Sequence, residues 1–136
     1  MKDTTPIWLD DEFQAPEGWL WVKDYFELCK LFETNQPVAI SFDYYLANER
    51  INGLVCIQEA IYDNYYNETG FLDNCKIINF HSRDDYASKT QANFVNSAIN
   101  DKLIKGMNLF TISREFFIEK LDSLNFGMYS DSIETN

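Results

Sequence analysis

The chain has 136 residues, with 22 Asp and Glu against 11 Lys and Arg, for a formal net charge of −11; 46% are hydrophobic and 16% aromatic, with only five Gly and three Pro. That much apolar content excludes a disordered chain, and so little Gly and Pro excludes a collagen-like or linker-rich one. The length fits one domain, residues 1–136, able to bury roughly two thirds of the surface that its unfolded chain exposes.

No apolar run approaches the roughly 20 residues of a membrane helix. The polar start, Met1 to Pro6, has no signal-peptide pattern, so a cytoplasmic location and no membrane partner are expected. Cys29, Cys56 and Cys75 are odd in number and form no C-x-x-C pair, which reads as small buried hydrophobes rather than a zinc site or a disulfide framework. The sequon at Asn67 is then a chance match. The acidic balance speaks against nonspecific nucleic-acid binding, which needs Lys and Arg, and the first third of the chain supplies most of the excess.

Along the chain, Pro6–Leu9 is apolar at every position and stops at Asp10-Asp11-Glu12, the pattern of a strand covered on both faces. Residues 13–18 have loop chemistry, and Trp19–Val22 reads as a second strand. Asp24 with Glu27 suggests a capping box, followed by Tyr25, Leu28, Cys29 and Phe32 on one helical face through about Glu33. Val38–Phe42 is a strand ending on Asp43. Leu54, Ile57, Ile61 and Tyr65 mark a helix, residues 66–75 a loop, and Lys76–Phe80 a strand ending on His81-Ser82. Residues 84–99 read as a helix, Leu109–Ile112 as a last strand, and Phe117, Ile118, Leu121 and Leu124 as the inner face of a closing helix, with a frayed tail over residues 128–136. Strands alternating with helices predict an α/β fold: a mostly parallel sheet with helices on both faces, in three layers. Ligands of such sheets bind beyond the carboxyl ends of the strands, and those ends deliver Asp10, Asp11, Glu12, Asp43, His81 and Ser82 to one edge.

Four segments carry a resemblance: Leu9–Glu12, Pro16-Glu17-Gly18-Trp19, Ile40–Asp43 and Phe80-His81-Ser82. In this order, over about Pro6 to Ile99, the chain resembles the cyclic-phosphate-processing receiver domain family, a CheY-like, flavodoxin-like fold whose first helix is shortened to a loop. Residues 100–136 lie outside the match. The chain departs from the family pattern at Phe13, where the family has Arg; at Tyr44-Tyr45, where it has His-Asp; at Asn52-Gly53, where it has Thr-Gly; and at Asp84, where it has Asn. No Lys-Pro follows the last strand, so the phosphorelay signature of receivers is incomplete.

Clustered carboxylates at strand ends repel one another, and a hard divalent cation relieves this; Mg²⁺ takes one or two carboxylates, waters and substrate phosphate. Asp10, Asp11 and Asp43 are the expected metal ligands, with Glu12 in reserve; the same acids read without a metal are helix caps and solvated turns. Asp43 and His81 are the expected catalytic pair, the imidazole as acid or base, against the alternative of a structural histidine. Ser82 and Arg83 are expected to hold phosphate oxygens, or else to cap the next helix, and Tyr44 and Tyr45 to stack on a base, or else to pack on the sheet. Together these predict a receiver-like domain that binds a cyclic phosphate or cyclic nucleotide, with a metal-dependent phosphoesterase activity where the site is complete. The alternative is a noncatalytic interaction protein, an acidic binder or nucleic-acid mimic docking a protein partner, with Phe116 displayed away from the core.

Overall fold

The computed structural model of the chain describes residues 2–47 and 50–124, the last four of these by backbone alone. The inner-face positions Leu121 and Leu124 and the tail 128–136 lie outside the described side chains. Nine elements follow in order: β1 (Ile7–Leu9), β2 (Leu20–Val22), α1 (Tyr25–Cys29), β3 (Ala39–Phe42), α2 (Gly53–Tyr66), β4 (Ile77–Phe80), α3 (Asp85–Asn100), β5 (Asn108–Phe110) and α4 (Arg114–Leu124). The strands form one sheet in the order β2-β1-β3-β4-β5, every neighbour parallel. This is the α/β fold that the alternation of strands and helices predicts, in the receiver-like (flavodoxin-like) form that the resemblance implies. No described helix is long and apolar enough to cross a membrane.

The three central strands are buried at every position, which is why their runs are apolar without alternation. Their side chains nonetheless alternate between two cores. Ile7, Leu9, Ile40, Phe42, Ile78 and Phe80 point to the face covered by Leu28 of α1, Ile57 and Ile61 of α2 and Val95 of α3. Trp8, Ala39 and Ile77 point the other way, where Trp19 and Phe117 of α4 cover them. Between β1 and β2 the chain runs through residues 10–19 without a helix. Aromatic area fills the space: Trp8, Trp19 and Phe117 pack with ring centroids 5.8–6.0 Å apart, the two contacts of Trp19 edge-on.

Side-chain caps start three helices, and that of Asp24 is the predicted one. Asp24 accepts from Glu27 N at 2.8 Å, Asn52 from Val55 N at 3.0 Å, and Asp84 from Tyr86 N at 3.0 Å. Two boundaries differ from expectation. The helix expected through Glu33 ends at Cys29, and turns carry the chain on, with Leu31 N donating to Leu28 O and Phe32 N to Cys29 O. Phe32 still reaches the core, edge-on to Phe71 at 4.9 Å, so its helical spacing is satisfied by a looser coil. The last strand, expected to reach Ile112, stops at Phe110 because both backbone polar groups of Ile112 bond the Asn79 side chain instead of the β4 ladder. All three cysteines are free thiols; Cys56 and Cys75 are buried, and burial pushes each thiol up to about 12, as inert small hydrophobes.

Phe117 is fully buried and belongs to the part of the chain beyond the family resemblance. Truncating it (Phe117→Ala) is expected to cost about 3–5 kcal/mol in urea unfolding, with the tryptophan fluorescence of the native state altered. A cost near zero would show that α4 is not part of this core.

Candidate functional site

The parallel register sets the site. Leu9 pairs Phe42, and Phe42 pairs Phe80, so the next residue of each strand, Asp10, Asp43 and His81, emerges at the same edge. Backbone bonds continue one step past the strands, Asp43 N to Leu9 O and His81 N to Phe42 O, both at 2.9 Å, and hold the three tips in line. One ligand atom from each of Asp10, Asp43 and His81 lies within 4.8 Å of the other two, the one such group among the described residues.

Asp10 is almost fully buried. Its Oδ1 accepts from Glu12 N and Phe13 N, both at 2.9 Å, and its Oδ2 meets His81 Nε2 at 3.1 Å. Burial alone would raise this carboxyl, but the His81 bond and the two N–H donors outweigh it and hold Asp10 below the usual range. His81 is driven the opposite way from an ion pair: burial holds its pKa below the ordinary 6.5 despite Asp10. The contact is therefore a hydrogen bond from a neutral imidazole to a carboxylate, with the proton assigned to Nε2. Nδ1 is then the acceptor, and Ser41 Oγ donates to it at 2.7 Å. Asn79 Nδ2 donates to Ser41 Oγ at 3.1 Å and to Ile112 O at 2.9 Å, and Asn79 Oδ1 accepts from Ile112 N. The imidazole also stacks on Trp8, with centroids 4.0 Å apart and planes 8° from parallel.

Asp43 has the opposite environment. Burial, then the charges of Asp10, Asp11 and Glu12, push its carboxyl up to about 7, against one opposing bond from Tyr44 N. The amino end of α2 presses on its backbone: a Cβ at Gly53 would lie 1.8 Å from Asp43 O and 2.7 Å from Gln91 Nε2. Only glycine fits there.

A cleft of about 300 Å³ opens over this edge. Of the sequence-derived residues, Asp10, Asp43, His81, Ser82, Arg83 and Tyr45 line it. Glu12, Phe13, Asp84, Arg114 and Glu115 complete the lining. Asp11 is half-exposed and outside the three-residue group, acting on Asp43 through its charge. Tyr44 does not line the cleft; its ring packs edge-on to Tyr45 at 4.9 Å and its hydroxyl accepts from Asn52 Nδ2. Tyr45 is exposed and donates its hydroxyl to Asp84. Ser82 Oγ accepts from Asp84 N, and Arg83 pairs with Glu115. Phe13, where the resemblance expects Arg, carries the Arg114 guanidinium on its ring at 4.8 Å. Sequence reasoning missed Ser41, Asn79, Gly53 and Arg114 as site residues. The signal for the first two was present, as polar residues interrupting otherwise apolar strands, and they are direct partners in the sheet register.

A five-stranded parallel sheet of this order, with acids converging at its carboxyl edge, defines a receiver-type domain. The family model described as the cyclic-phosphate processing receiver domain matches residues 5–97, and the chain belongs to that family. Among curated proteins nothing matches significantly.

Two outcomes follow from this geometry. In chelator-containing buffer the folded chain keeps the Asp43 proton to about pH 7, whereas the unfolded chain releases it near 3.8. The Asp43 contribution to stability is thus present at low pH and declines as pH rises through that window. His81, with its lowered value, contributes with the opposite sign below 6.5, so the comparison must be with Asp43→Asn. That variant is expected to gain about 2–4 kcal/mol on wild type between pH 4 and pH 8, allowing for partial exposure; parallel pH profiles of the two proteins would contradict the charge crowding. Gly53→Ala is expected to lose about 1–3 kcal/mol by overpacking, read by urea melts, since its methyl meets the Asp43 backbone first, which cannot swing aside as the Gln91 side chain can.

Proposed function

We propose that the cleft binds a cyclic phosphate ester, such as a cyclic nucleotide, together with a divalent cation such as Mg²⁺, and hydrolyses it. The observation that carries this reading is the crowding of Asp10 and Asp43 in a chain of the cyclic-phosphate processing receiver family. A carboxyl raised to about 7 by burial and then by neighbouring carboxylates is a site short of positive charge, and an all-oxygen pair with half-exposed Asp11 beside it suits a hard cation. Asp10, Asp11 and Asp43 would hold the ion, which when bound neutralises the acids and polarises a phosphoryl oxygen.

The remaining roles fall to the chain itself. Both ring nitrogens of His81 are engaged, so we assign to it first the orientation and ionisation of Asp10; the proton transfer expected of it requires release of one of those bonds. Ser82 and Arg83 would hold phosphate oxygens, the serine through a hydroxyl proton that its bond from Asp84 N leaves unused. The exposed ring of Tyr45, at the cleft wall, would support a base, while Tyr44 supports Tyr45. We take residues 1–136 as one domain, a reading supported by the packing of Phe117 on Trp8.

Melting with and without Mg²⁺, followed by incubation with a panel of cyclic mono- and oligonucleotides read by chromatography, tests the proposal. Millimolar Mg²⁺ is expected to raise the Tm of wild type, with about 2.7 kcal/mol of stabilisation once the ion reaches a hundredfold excess over Kd. Asp43→Ala should show neither the shift nor any hydrolysis product. An unmoved wild-type Tm, or equal turnover in Asp43→Ala, would overturn the metal-dependent reading.

A further inference from the structure

The cleft presents a charge problem to any phosphate. Carboxylates of Asp10, Glu12, Asp43, Asp84 and Glu115 line it, against two cations, Arg83 and Arg114. Arg83 is largely exposed and is tied to Glu115. Arg114 is different. It opens α4, its side chain is half-buried, and its Nε is fully buried without a hydrogen-bond partner. Its guanidinium lies over the Phe13 ring, 4.8 Å from the centroid, a cation–π contact that is not a hydrogen bond and so satisfies none of its N–H donors.

Both supports of this arginine are fixed to the site. Phe13 N donates to Asp10 Oδ1, so the ring that carries the guanidinium is registered against the acid. Ile112, two residues before Arg114, is clamped at N–H and C=O by Asn79, the same side chain that bonds Ser41 beneath His81. An unpartnered buried donor costs stability unless a ligand completes it, and nothing in the family match assigns this residue, which lies beyond residue 97.

We propose that Arg114 is the phosphate-seating residue of the cleft, binding the anionic oxygens of the ligand from its α4 side. This rests on the reading that the cleft takes a phosphate ester. The specificity it confers is for a phosphate held on two sides, by the cation that the carboxylate edge would carry and by the guanidinium fork.

Calorimetric titration of the full chain with inorganic phosphate and with cyclic AMP, each in Mg²⁺, tests it. Relative to wild type, Arg114→Gln is expected to weaken binding of both about tenfold to a hundredfold, while keeping its far-UV circular dichroism and its Mg²⁺-induced Tm shift. Lys105→Gln, the same charge removed from the exposed approach to β5 at the opposite edge of the sheet, should bind as wild type does. Should Arg114→Gln fail to fold, Arg114→Lys serves: it keeps the charge, loses the planar fork, and is expected to bind several-fold more weakly. Wild-type binding with an unchanged affinity in a folded Arg114→Gln would overturn the assignment of Arg114 alone. Absence of binding to wild type would overturn the phosphate reading of the cleft, and this assignment with it.

Discussion

The structure depends on a conflict held in place by register. Parallel pairing of β1, β3 and β4 forces Asp10 and Asp43 to leave the sheet side by side, close to the immobilised His81. Two carboxylates so close cannot both ionise cheaply in a partly buried edge. The chain resolves the conflict unequally. Asp10 receives two backbone N–H groups and an imidazole N–H and stays ionised; Asp43 receives one N–H and takes the penalty. The asymmetry comes from the loops: residues after β1 curl back to donate to Asp10, while Gly53 and Gln91 both engage the backbone at Asp43–Tyr44 and leave the carboxylate to its neighbours.

The second core explains why the imidazole is so firmly held. With residues 10–19 lacking a helix, the face above Trp8 is closed by aromatic rings and α4 rather than by a full pair of helices. Beneath that cover runs a row of register partners, Trp8, Ser41, Asn79 and Phe110, one from each of four adjacent strands. Its two polar members are fully buried and fully occupied, Ser41 by His81 and Asn79, Asn79 by the backbone of Ile112. A buried polar group without partners costs about 1–3 kcal/mol, so Ser41 and Asn79 are satisfied only with β5 ending at Phe110 and the chain turning into α4. The end of a strand, the entry of a helix and the tautomer of a histidine are one hydrogen-bond network.

Much of this was legible in the sequence, and the reasons are local. Apolar runs ending on acids announced β1 and β3, and their length and separation implied parallel pairing, so the convergence of Asp10, Asp43 and His81 could be read before any coordinates. Asp24 could be read as a cap because its side-chain chemistry acts over three residues. What escaped reading was set by contacts far apart in the chain. The stop of β5 depends on Asn79, 33 residues earlier. The steric demand at Gly53 depends on how closely α2 approaches Asp43, which periodicity does not encode. Tyr44 and Tyr45 looked equivalent, yet one lines the cleft and the other packs behind it.

Stability and binding pull in opposite directions at Asp43, and this constrains what the edge is for. A residue serving only the fold would be replaced at little cost by Asn, which keeps the size of the side chain without the repulsion from Asp10, Asp11 and Glu12. The core beneath is made by Phe42 and Phe80, apolar side chains whose packing makes no use of a charge at the strand tip. His81, by contrast, has structural work in every state, since it stacks on Trp8 and closes the Ser41–Asn79 row. The energetic strain is therefore concentrated on the one member of the triad with least to do in folding. Strain placed there, at the mouth of a cleft and beside a half-exposed second acid, is opposed in the described fold by the Tyr44 N–H and would be relieved by an incoming cation, which is the physical ground for proposing this edge as a binding site rather than as surplus surface charge.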